Sequence, residues 1–198
     1  MQTLDQIKQA IIADPQNADF TARGIDPLYA FDPQAKILLI GQAPGQQAQD
    51  KRRYFDDPSG ERLREWLGMS REIFYDPRQL SILPLDFYFP GKGKSGDLPP
   101  RKGFAAKWHP QILATMPQQP LTILVGAYAQ KFYLGKRAKK NLTATVQAYQ
   151  EYLPQYLPLV HPSPRNNIWM AKNPWFATNV LPELQKLVHT ALTNEETK

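Results

Sequence analysis

The stretch from Lys36 to Asp50, KILLIGQAPGQQAQD, decides the fold of this chain. Four apolar residues, Ile37 to Ile40, run directly into a loop of sequence GQAPG at positions 41–45. A short unbroken run of Ile and Leu that ends at a glycine is typical of a strand buried on both faces of a parallel sheet. Ligands of open α/β sheets bind just outside the carboxyl ends of such strands, where glycines let backbone amides approach a bound group. We therefore expect this loop to form the floor of a binding site.

A second stretch of the same kind lies far downstream, at Tyr156 to Asn166 (YLPLVHPSPRN). It is another short apolar segment, and it leads into His161-Pro162-Ser163-Pro164. Alone, a glycine and proline turn after a strand is more often only a turn. Because the carboxyl ends of parallel strands meet at one edge of the sheet, two such loops indicate a pocket with two sides.

These residues resemble the motifs of the uracil-DNA glycosylase superfamily, whose members carry Gly-x-x-Pro-x after the first strand and His-Pro-Ser after the last. Phe55 falls fourteen residues after Gly41, as does the base-stacking Phe of the family 4 enzymes. The run FDDPSG from Phe55 to Gly60 looks still more like the family 5 pattern, Phe-x-Gly-Asp-x-Ser-Gly. HPSPRN resembles both family 5 and the single-strand-selective monofunctional enzymes. The resemblance covers about residues 36–185.

The composition bounds the class of protein. A chain of 198 residues with 42% hydrophobic content is long enough for one domain with a substantial core and short for two. We therefore expect residues 1–198 to form a single domain. Lys and Arg number 24 against 18 Asp and Glu, for a net charge of +6, which is compatible with a polyanionic partner such as DNA but does not require one.

Cysteine is absent, which excludes a disulfide, a zinc–thiolate site and an iron–sulfur cluster. This separates the chain from the family 4 enzymes, which hold a cluster on four cysteines, and we expect no metal and no other cofactor. No apolar stretch approaches the roughly 18 residues of a membrane span, and the N-terminus MQTLDQIKQA lacks the profile of a signal peptide. The sequence predicts a cytoplasmic protein without membrane contact, and we expect a monomer.

The apolar pattern predicts four strands separated by helical segments. The result is an α/β fold, a three-layer α/β/α sandwich around a central, mostly parallel four-stranded sheet. The predicted strands are Ile37 to Ile40, Leu80 to Leu85, Leu121 to Val125 and Leu157 to Val160.

The resemblance implies roles for residues of both motifs. Phe55 would stack on an extruded base, and His161 would donate a hydrogen bond to a base oxygen as negative charge develops. Backbone amides around Gln42 and Ala43 would hold the edge of the base, within a substrate site that also includes Gly41, Pro44, Phe55 and Ser163. The alternatives are a core aromatic for Phe55 and a hydrogen-bonded structural histidine for His161.

The water-activating carboxylate departs from the better-known members. Family 1 has Asp at the position of Ala43 and family 4 has Glu at the position of Gln42, so neither acid is present. Family 5 also has Ala at that third position, and its Asp corresponds to Asp57 here. We therefore predict Asp57 and His161 as the catalytic residues, with Asp56 and Asp50 as reserves. Alternatively, Asp57 is only a negative charge at the start of a helix that Ser59 caps.

Four further predictions concern DNA contacts. Lys92 and Lys94 lie in a glycine-rich basic loop that either wraps a phosphate or is simply solvated. In the superfamily the loop after His-Pro-Ser enters the duplex, which here implies Ile168, Trp169 or Met170 as the wedge, unless Trp169 packs against the last helix. Arg165 and Asn166 would contact the DNA strand. Ser163, between two prolines, would hold a phosphate.

Together these features predict a monofunctional DNA glycosylase that acts on uracil or a related deaminated base in base excision repair. The Asn that reads the uracil edge in family 4 lies in the second strand, where this chain has Ser81-Ile82-Leu83-Pro84. The residue that reads the base is therefore not identified. Two alternatives stay open: a DNA- or base-binding member that has lost catalysis, and a hydrolase of free nucleosides or another small ligand.

Overall fold

The computed structural model describes residues 2–193 and has a sheet of four parallel strands at its centre. The strand order is β2-β1-β3-β4, and β1 pairs with β2 on one side and with β3 on the other. The predicted α/β architecture is confirmed, and the sheet is wholly parallel. The strands are β1 (Ile37–Ile40), β2 (Leu80–Ile82), β3 (Leu121–Val125) and β4 (Tyr156–Leu159).

Helices connect the strands and cover both faces of the sheet. No helix within residues 2–193 has the length and apolar character to cross a membrane. A π-helical turn, Phe176–Val180, leads into the last helix. The helices are α1 (Leu4–Ala13), α2 (Ala18–Ala22), α3 (Gln46–Lys51), α4 (Pro58–Leu67), α5 (Arg71–Phe74), α6 (Phe104–Leu113), α7 (Gly126–Leu134), α8 (Leu142–Gln147), α9 (Asn167–Lys172) and α10 (Leu181–Thr193).

The four residues of β1 are fully buried, as the unbroken apolar run predicts. Because side chains alternate across a strand, β1 serves two cores. Leu38 and Ile40 pack in the cluster that holds apolar residues of α1, α6 and α7, whereas Ile37 and Leu39 pack in the cluster of α4 and α10. Burial of each such side chain contributes about 1.5–3 kcal/mol, so β1 is central to the fold.

The second strand is shorter than predicted and ends at Ile82 rather than Leu85. Pro84 has no N–H group and therefore interrupts the ladder. The amides of Leu83 and Leu85 nevertheless donate to the carbonyl oxygens of Leu39 and Gly41, each at 2.9 Å. This segment thus continues alongside β1 and forms a wall of the site described below.

His109, in α6, has a structural role. Its Nε2 lies 2.9 Å from the Pro84 carbonyl oxygen and its Nδ1 lies 2.6 Å from the Tyr133 hydroxyl. Burial lowers the pKa of His109 to about 4. The ring is therefore neutral at pH 7, with Nε2–H donating to Pro84 and Nδ1 accepting from Tyr133.

Candidate active site

A cavity of about 710 Å³ lies at the carboxyl edge of the sheet, and both sequence motifs line it. The last residues of β2 and β3, Ile82 and Val125, form part of its wall. The structure thus brings together residues that lie 120 positions apart, from Gly41 to His161. The predicted residues that line the cavity are Gly41, Gln42, Ala43, Pro44, Phe55, Asp57, Lys92, His161 and Arg165.

The loop after β1 lines the cavity and is held by hydrogen bonds to its carbonyl oxygens and to one side chain. The Gly41 and Gln42 carbonyl oxygens accept from the amides of Leu85 and Asp86, at 2.9 and 3.1 Å. The side-chain Nε2 of Gln42 donates to the Leu98 carbonyl oxygen at 3.0 Å. The backbone amides of Gln42 and Ala43 have no acceptor within residues 2–193. These two N–H groups are therefore available to a ligand.

Phe55 adopts a left-handed backbone conformation, with φ of 51°. A non-glycine residue in this region costs about 1–3 kcal/mol and persists only where its surroundings hold it. Two donors hold the Phe55 carbonyl oxygen: Arg64 Nη1 at 3.1 Å and the Tyr75 hydroxyl at 3.0 Å. Arg64 is buried, which makes this contact a fixed part of the site.

Gly60 and Phe74 complete this clamp. A β-carbon on Gly60 would lie 1.8 Å from the Phe55 carbonyl oxygen, so the close approach requires glycine. The Phe55 ring makes a T-shaped contact with Phe74, with centroids 6.0 Å apart, and it is half-buried while lining the cavity. The Phe55 ring thus packs partly against the core, as expected for a core aromatic residue. Its other part lines the cavity and is accessible to a ligand.

Asp57 is the N-cap of α4, and this corrects the prediction that Ser59 caps the helix. Asp57 Oδ1 accepts from the Gly60 amide at 2.8 Å, and Pro58 occupies the first helical position. The other carboxylate oxygen has no hydrogen-bond donor within residues 2–193. Asp57 also lines the cavity. Asp57 therefore begins α4, but it does so as the cap itself, and its second carboxylate oxygen has no partner among the described residues.

Asp56 and Asp50, the other acids considered for catalysis, do not line the cavity. Asp56 forms an ion pair with Arg71, and Lys51 Nζ lies 4.0 Å from its other oxygen. The hydrogen bond from Arg71 lowers the pKa of Asp56. Asp50 accepts from the side-chain amide of Gln46 at 2.8 Å. Asp57 is thus the predicted acid that faces the cavity.

His161 has a defined tautomer in the cavity. The Ser163 amide donates to its Nδ1 at 3.2 Å, so Nδ1 is unprotonated and Nε2 carries the proton. The surrounding protein desolvates the ring and lowers its pKa, and the negative charge of Asp57 partly opposes this shift. The side chain remains accessible to solvent through the cavity. His161 is therefore neutral at pH 7 and has an N–H group to donate.

The loop that carries His161 is braced by its own residues and by α4. The side-chain amide of Asn166 donates to the His161 carbonyl oxygen at 2.7 Å. Arg62 Nη1, from α4, donates to the Ser163 carbonyl oxygen at 3.2 Å, and the Ser163 hydroxyl accepts from the Arg165 amide at 3.2 Å. Ser163 and Asn166 do not line the cavity, and α4 links the two motifs through Arg62.

A turn at residues 91–98 forms the rim of the cavity. Lys92 pairs with Asp97 at 3.0 Å, and a β-carbon on Gly96 would lie 4.0 Å from Arg165 Nη1. The turn and Arg165 therefore approach each other across the mouth of the site. Lys94 is exposed in the same turn, outside the cavity lining.

Two of the candidate wedge residues differ in their surroundings. Ile168 is 70% exposed on α9. The Trp169 indole N–H donates to the Thr143 hydroxyl at 2.8 Å, and its ring makes T-shaped contacts with Trp175 and Phe176. Trp169 therefore packs against the segment that leads into the last helix, as its alternative states, whereas Ile168 has no such packing and is the more exposed of the two.

Asp97 and Tyr128 are among the cavity-lining residues that sequence reasoning missed. Tyr128 lies in the first turn of α7, directly after β3, so the rule that ligands bind at the carboxyl edge of the sheet would have found it. Asp97 carries no comparable signal, because only the fold of the turn at 91–98 brings it to Gly45. Within residues 2–193 no group of three His, Asp or Glu is placed to hold a metal ion.

A family model described as the uracil DNA glycosylase superfamily matches residues 28–185 of the chain. The matched range contains both motifs, all four strands and every residue that lines the cavity.

Proposed function

The chain belongs to the uracil DNA glycosylase superfamily, and from this premise we propose that it hydrolyses the N-glycosidic bond of uracil or a related deaminated base in DNA. The observation that carries the proposal is the convergence of Phe55, Asp57 and His161 on one cavity with two available amides. An aromatic surface, a carboxylate and neutral N–H donors are the groups that this reaction needs.

The cavity supplies the binding part of the reaction. An enzyme that acts on a base must take it out of the stack and hold it flat. Phe55, fixed by Arg64, Tyr75 and Gly60, offers its ring to the extruded base. The amides of Gln42 and Ala43 then hydrogen-bond to the edge of the base.

His161 stabilises the departing base. As the bond between C1′ of the sugar and the base nitrogen breaks, its electron pair moves to the base and negative charge develops on the base oxygen. A fixed N–H donor that faces this oxygen stabilises the transition state, with a typical contribution of about 3–4 kcal/mol. The neutral Nε2–H of His161 has this role, because the Ser163 amide keeps Nδ1 unprotonated.

Asp57 acts on the other side of the bond. Positive charge grows on the sugar, and a water oxygen forms the new bond to C1′ while one of its protons must be accepted. The oxygen of Asp57 that does not cap α4 orients this water, accepts the proton and offsets the sugar charge. One carboxylate thus starts a helix and serves the reaction.

Residues at the rim bind the strand. Arg165 and Lys92 line the cavity mouth and, with the exposed Lys94, contact phosphates. Ile168 contacts the nucleotide beside the extruded base. The net charge of +6 supports a polyanionic substrate.

One observation favours a second candidate, a DNA- or base-binding member with little or no catalysis. One carboxylate oxygen of Asp57 accepts a hydrogen bond from the Gly60 amide. At the positions of the acids of families 1 and 4, this chain has Ala43 and Gln42. A capping carboxylate is less free to move toward a water molecule than one without a backbone partner. In this candidate the cavity binds a base without breaking its bond.

The experiment that tests the proposal uses labelled oligonucleotides that contain uracil, hypoxanthine, xanthine or a mismatch, with excess protein and alkaline cleavage of abasic sites. We expect strand cleavage for at least one deaminated base and none for the undamaged oligonucleotide. No product from any substrate, with retained DNA binding, would favour the binding-only candidate. Tighter binding of free nucleosides than of DNA, without dependence on salt, would favour a nucleoside hydrolase.

A further inference from the structure

Helix α7 presents two large aromatic side chains to solvent on one face. Tyr128 is 45% exposed and Phe132 is 43% exposed. Residues four apart on a helix lie one above the other on the same face, so the two rings form a stripe along α7. Lys131 is exposed in the same stretch, and Lys136 follows in the next turn.

The ring of Phe132 is held in place although it is exposed. It makes T-shaped contacts with His109, at a centroid distance of 6.0 Å, and with Tyr133, at 5.2 Å. His109 is itself fixed by two hydrogen bonds. A ring that is already positioned loses little conformational entropy when a ligand covers it.

The chain segment that carries the stripe is positively charged. Residues 126–140 contain five basic residues and no acidic residue. Lys139 pairs with Glu151, whereas Lys131 and Lys136 make no ion pair within residues 2–193. Aromatic rings interleaved with cationic side chains are the surface on which single-stranded nucleic acids bind, with bases on the rings and phosphates beside the charges.

The stripe also continues the candidate active site, because Tyr128 lines the cavity. We propose that the exposed face of α7 binds unpaired nucleotides next to the target base, so that the substrate is single-stranded DNA on that side. This inference rests on the proposed function, since it assumes that the strand in the cavity is DNA. It specifies the class of DNA that the site accepts.

The aromatic side chains of the stripe favour single-stranded DNA over duplex DNA. In a duplex the neighbouring base pairs cover both faces of each base, and a protein meets base edges and phosphates. Only unpaired bases can stack on Tyr128 and Phe132. A second copy of the chain fits less well, because a symmetric contact over this face would bring the like charges of Lys131 and Lys136 together.

The test measures binding of a labelled oligonucleotide without uracil, as a single strand and as a duplex, by fluorescence anisotropy. We expect the wild-type protein to bind the single strand more tightly. Phe132→Ala should weaken single-strand binding by at least about fivefold and leave duplex binding unchanged, since loss of one stacking ring has at least this effect. Phe132→Tyr should retain binding. Ile73→Ala, at an exposed apolar residue of α5, is the matched control and should change nothing.

Lys131→Gln provides a second variant that does not alter the stripe. We expect it to reduce the slope of log affinity against log salt by about 0.7 for the single strand. An unchanged single-strand affinity in Phe132→Ala, an equal loss for duplex and single strand, or a dimer that Phe132→Ala dissociates would each overturn the inference. Failure of the proposed function is a separate result, absence of excision from every modified oligonucleotide, and this binding assay does not depend on it.

Discussion

Gly60 and Phe55 approach so closely that a β-carbon on Gly60 would lie 1.8 Å from the Phe55 carbonyl oxygen. The same Gly60 donates its amide to Asp57 Oδ1 at 2.8 Å. The first turn of α4 therefore fixes both the left-handed backbone of Phe55 and the carboxylate of Asp57. The candidate stacking ring and the candidate acid form one structural unit.

The first prediction concerns this unit. Gly60→Ala must displace the Phe55 backbone, and we expect a loss of about 1–3 kcal/mol in the free energy of unfolding from overpacking. Base excision should fall at least about tenfold, because the Phe55 ring moves. Thermal unfolding and single-turnover excision check the two effects. Normal values for both would mean that the clamp does not position Phe55.

Gly41→Ala is the matched control. A β-carbon at Gly41 would meet no atom within 4 Å, so its unfolding temperature should match that of the wild type. Because Gly41 lines the cavity, a bound base that approaches the loop would meet the added methyl group. A stable variant with reduced excision would place the base against this loop.

The second prediction removes one hydroxyl group of the clamp. Tyr75→Phe removes the hydroxyl that donates to the carbonyl oxygens of Phe55, at 3.0 Å, and Tyr54, at 2.8 Å. We expect a loss of about 1 kcal/mol in unfolding free energy, as for a typical hydrogen bond. Excision should slow while the affinity for DNA stays the same. A proportional loss of both would indicate general unfolding instead of displacement of Phe55.

The third prediction tests the pocket residues themselves. Phe55→Ala and His161→Ala should each lower excision by at least about tenfold, which corresponds to roughly 1.4 kcal/mol of transition-state stabilisation, and should leave the fold intact. His189→Ala, at an exposed histidine of α10, should retain full activity. A normal rate in either pocket variant would remove that residue from the active site.

The fourth prediction concerns the stability of the fold against acid. Because burial lowers the pKa of His109 from 6.5 to about 4, the unfolded chain binds a proton at this residue in a pH range where the folded chain does not. The stability that the neutral ring contributes is present above pH 6.5 and is lost as the pH falls toward 4, by about 3 kcal/mol.

His109→Gln should therefore be less stable than the wild type at pH 7 and lose less stability between pH 7 and 4. Chemical unfolding at both pH values checks this, with His189→Gln as the exposed control. An identical decline in the wild type and His109→Gln would show that other groups cause the acid sensitivity.

The strands could be predicted well because their signal is local. The apolar runs of β1 and β3 gave the bounds Ile37–Ile40 and Leu121–Val125 that the structure has. β2 was predicted three residues too long, since Leu83 and Leu85 are apolar but Pro84 interrupts the ladder. The pair Asp57-Pro58 has the pattern of a helix start, because a capping acid precedes a proline at the first helical position. This pattern predicts Asp57 as the cap instead of Ser59.

The parts of the site that depend on tertiary contacts could not be predicted. Arg64, Tyr75 and Gly60 hold the left-handed backbone conformation of Phe55. No local sequence pattern predicts a positive φ at a phenylalanine. The sequence alone does not show that the Trp169 side chain contacts Trp175 and Thr143. Sequence motifs identify candidate residues for the cavity. Contacts with residues that are distant in the sequence determine which of these candidates line it.

The central claim is that Asp57 supplies the negative charge for base excision, and single-turnover excision by Asp57→Asn tests it most directly. Asn can still cap α4, because its side-chain oxygen accepts from the Gly60 amide, so the variant removes the charge and keeps the helix. We expect the chemical step to slow by roughly 10²-fold or more with little change in DNA affinity, while Asp56→Asn, at the acid paired with Arg71, has a much smaller effect. Equal small effects of the two variants would contradict the claim and leave Asp57 as a helix cap only.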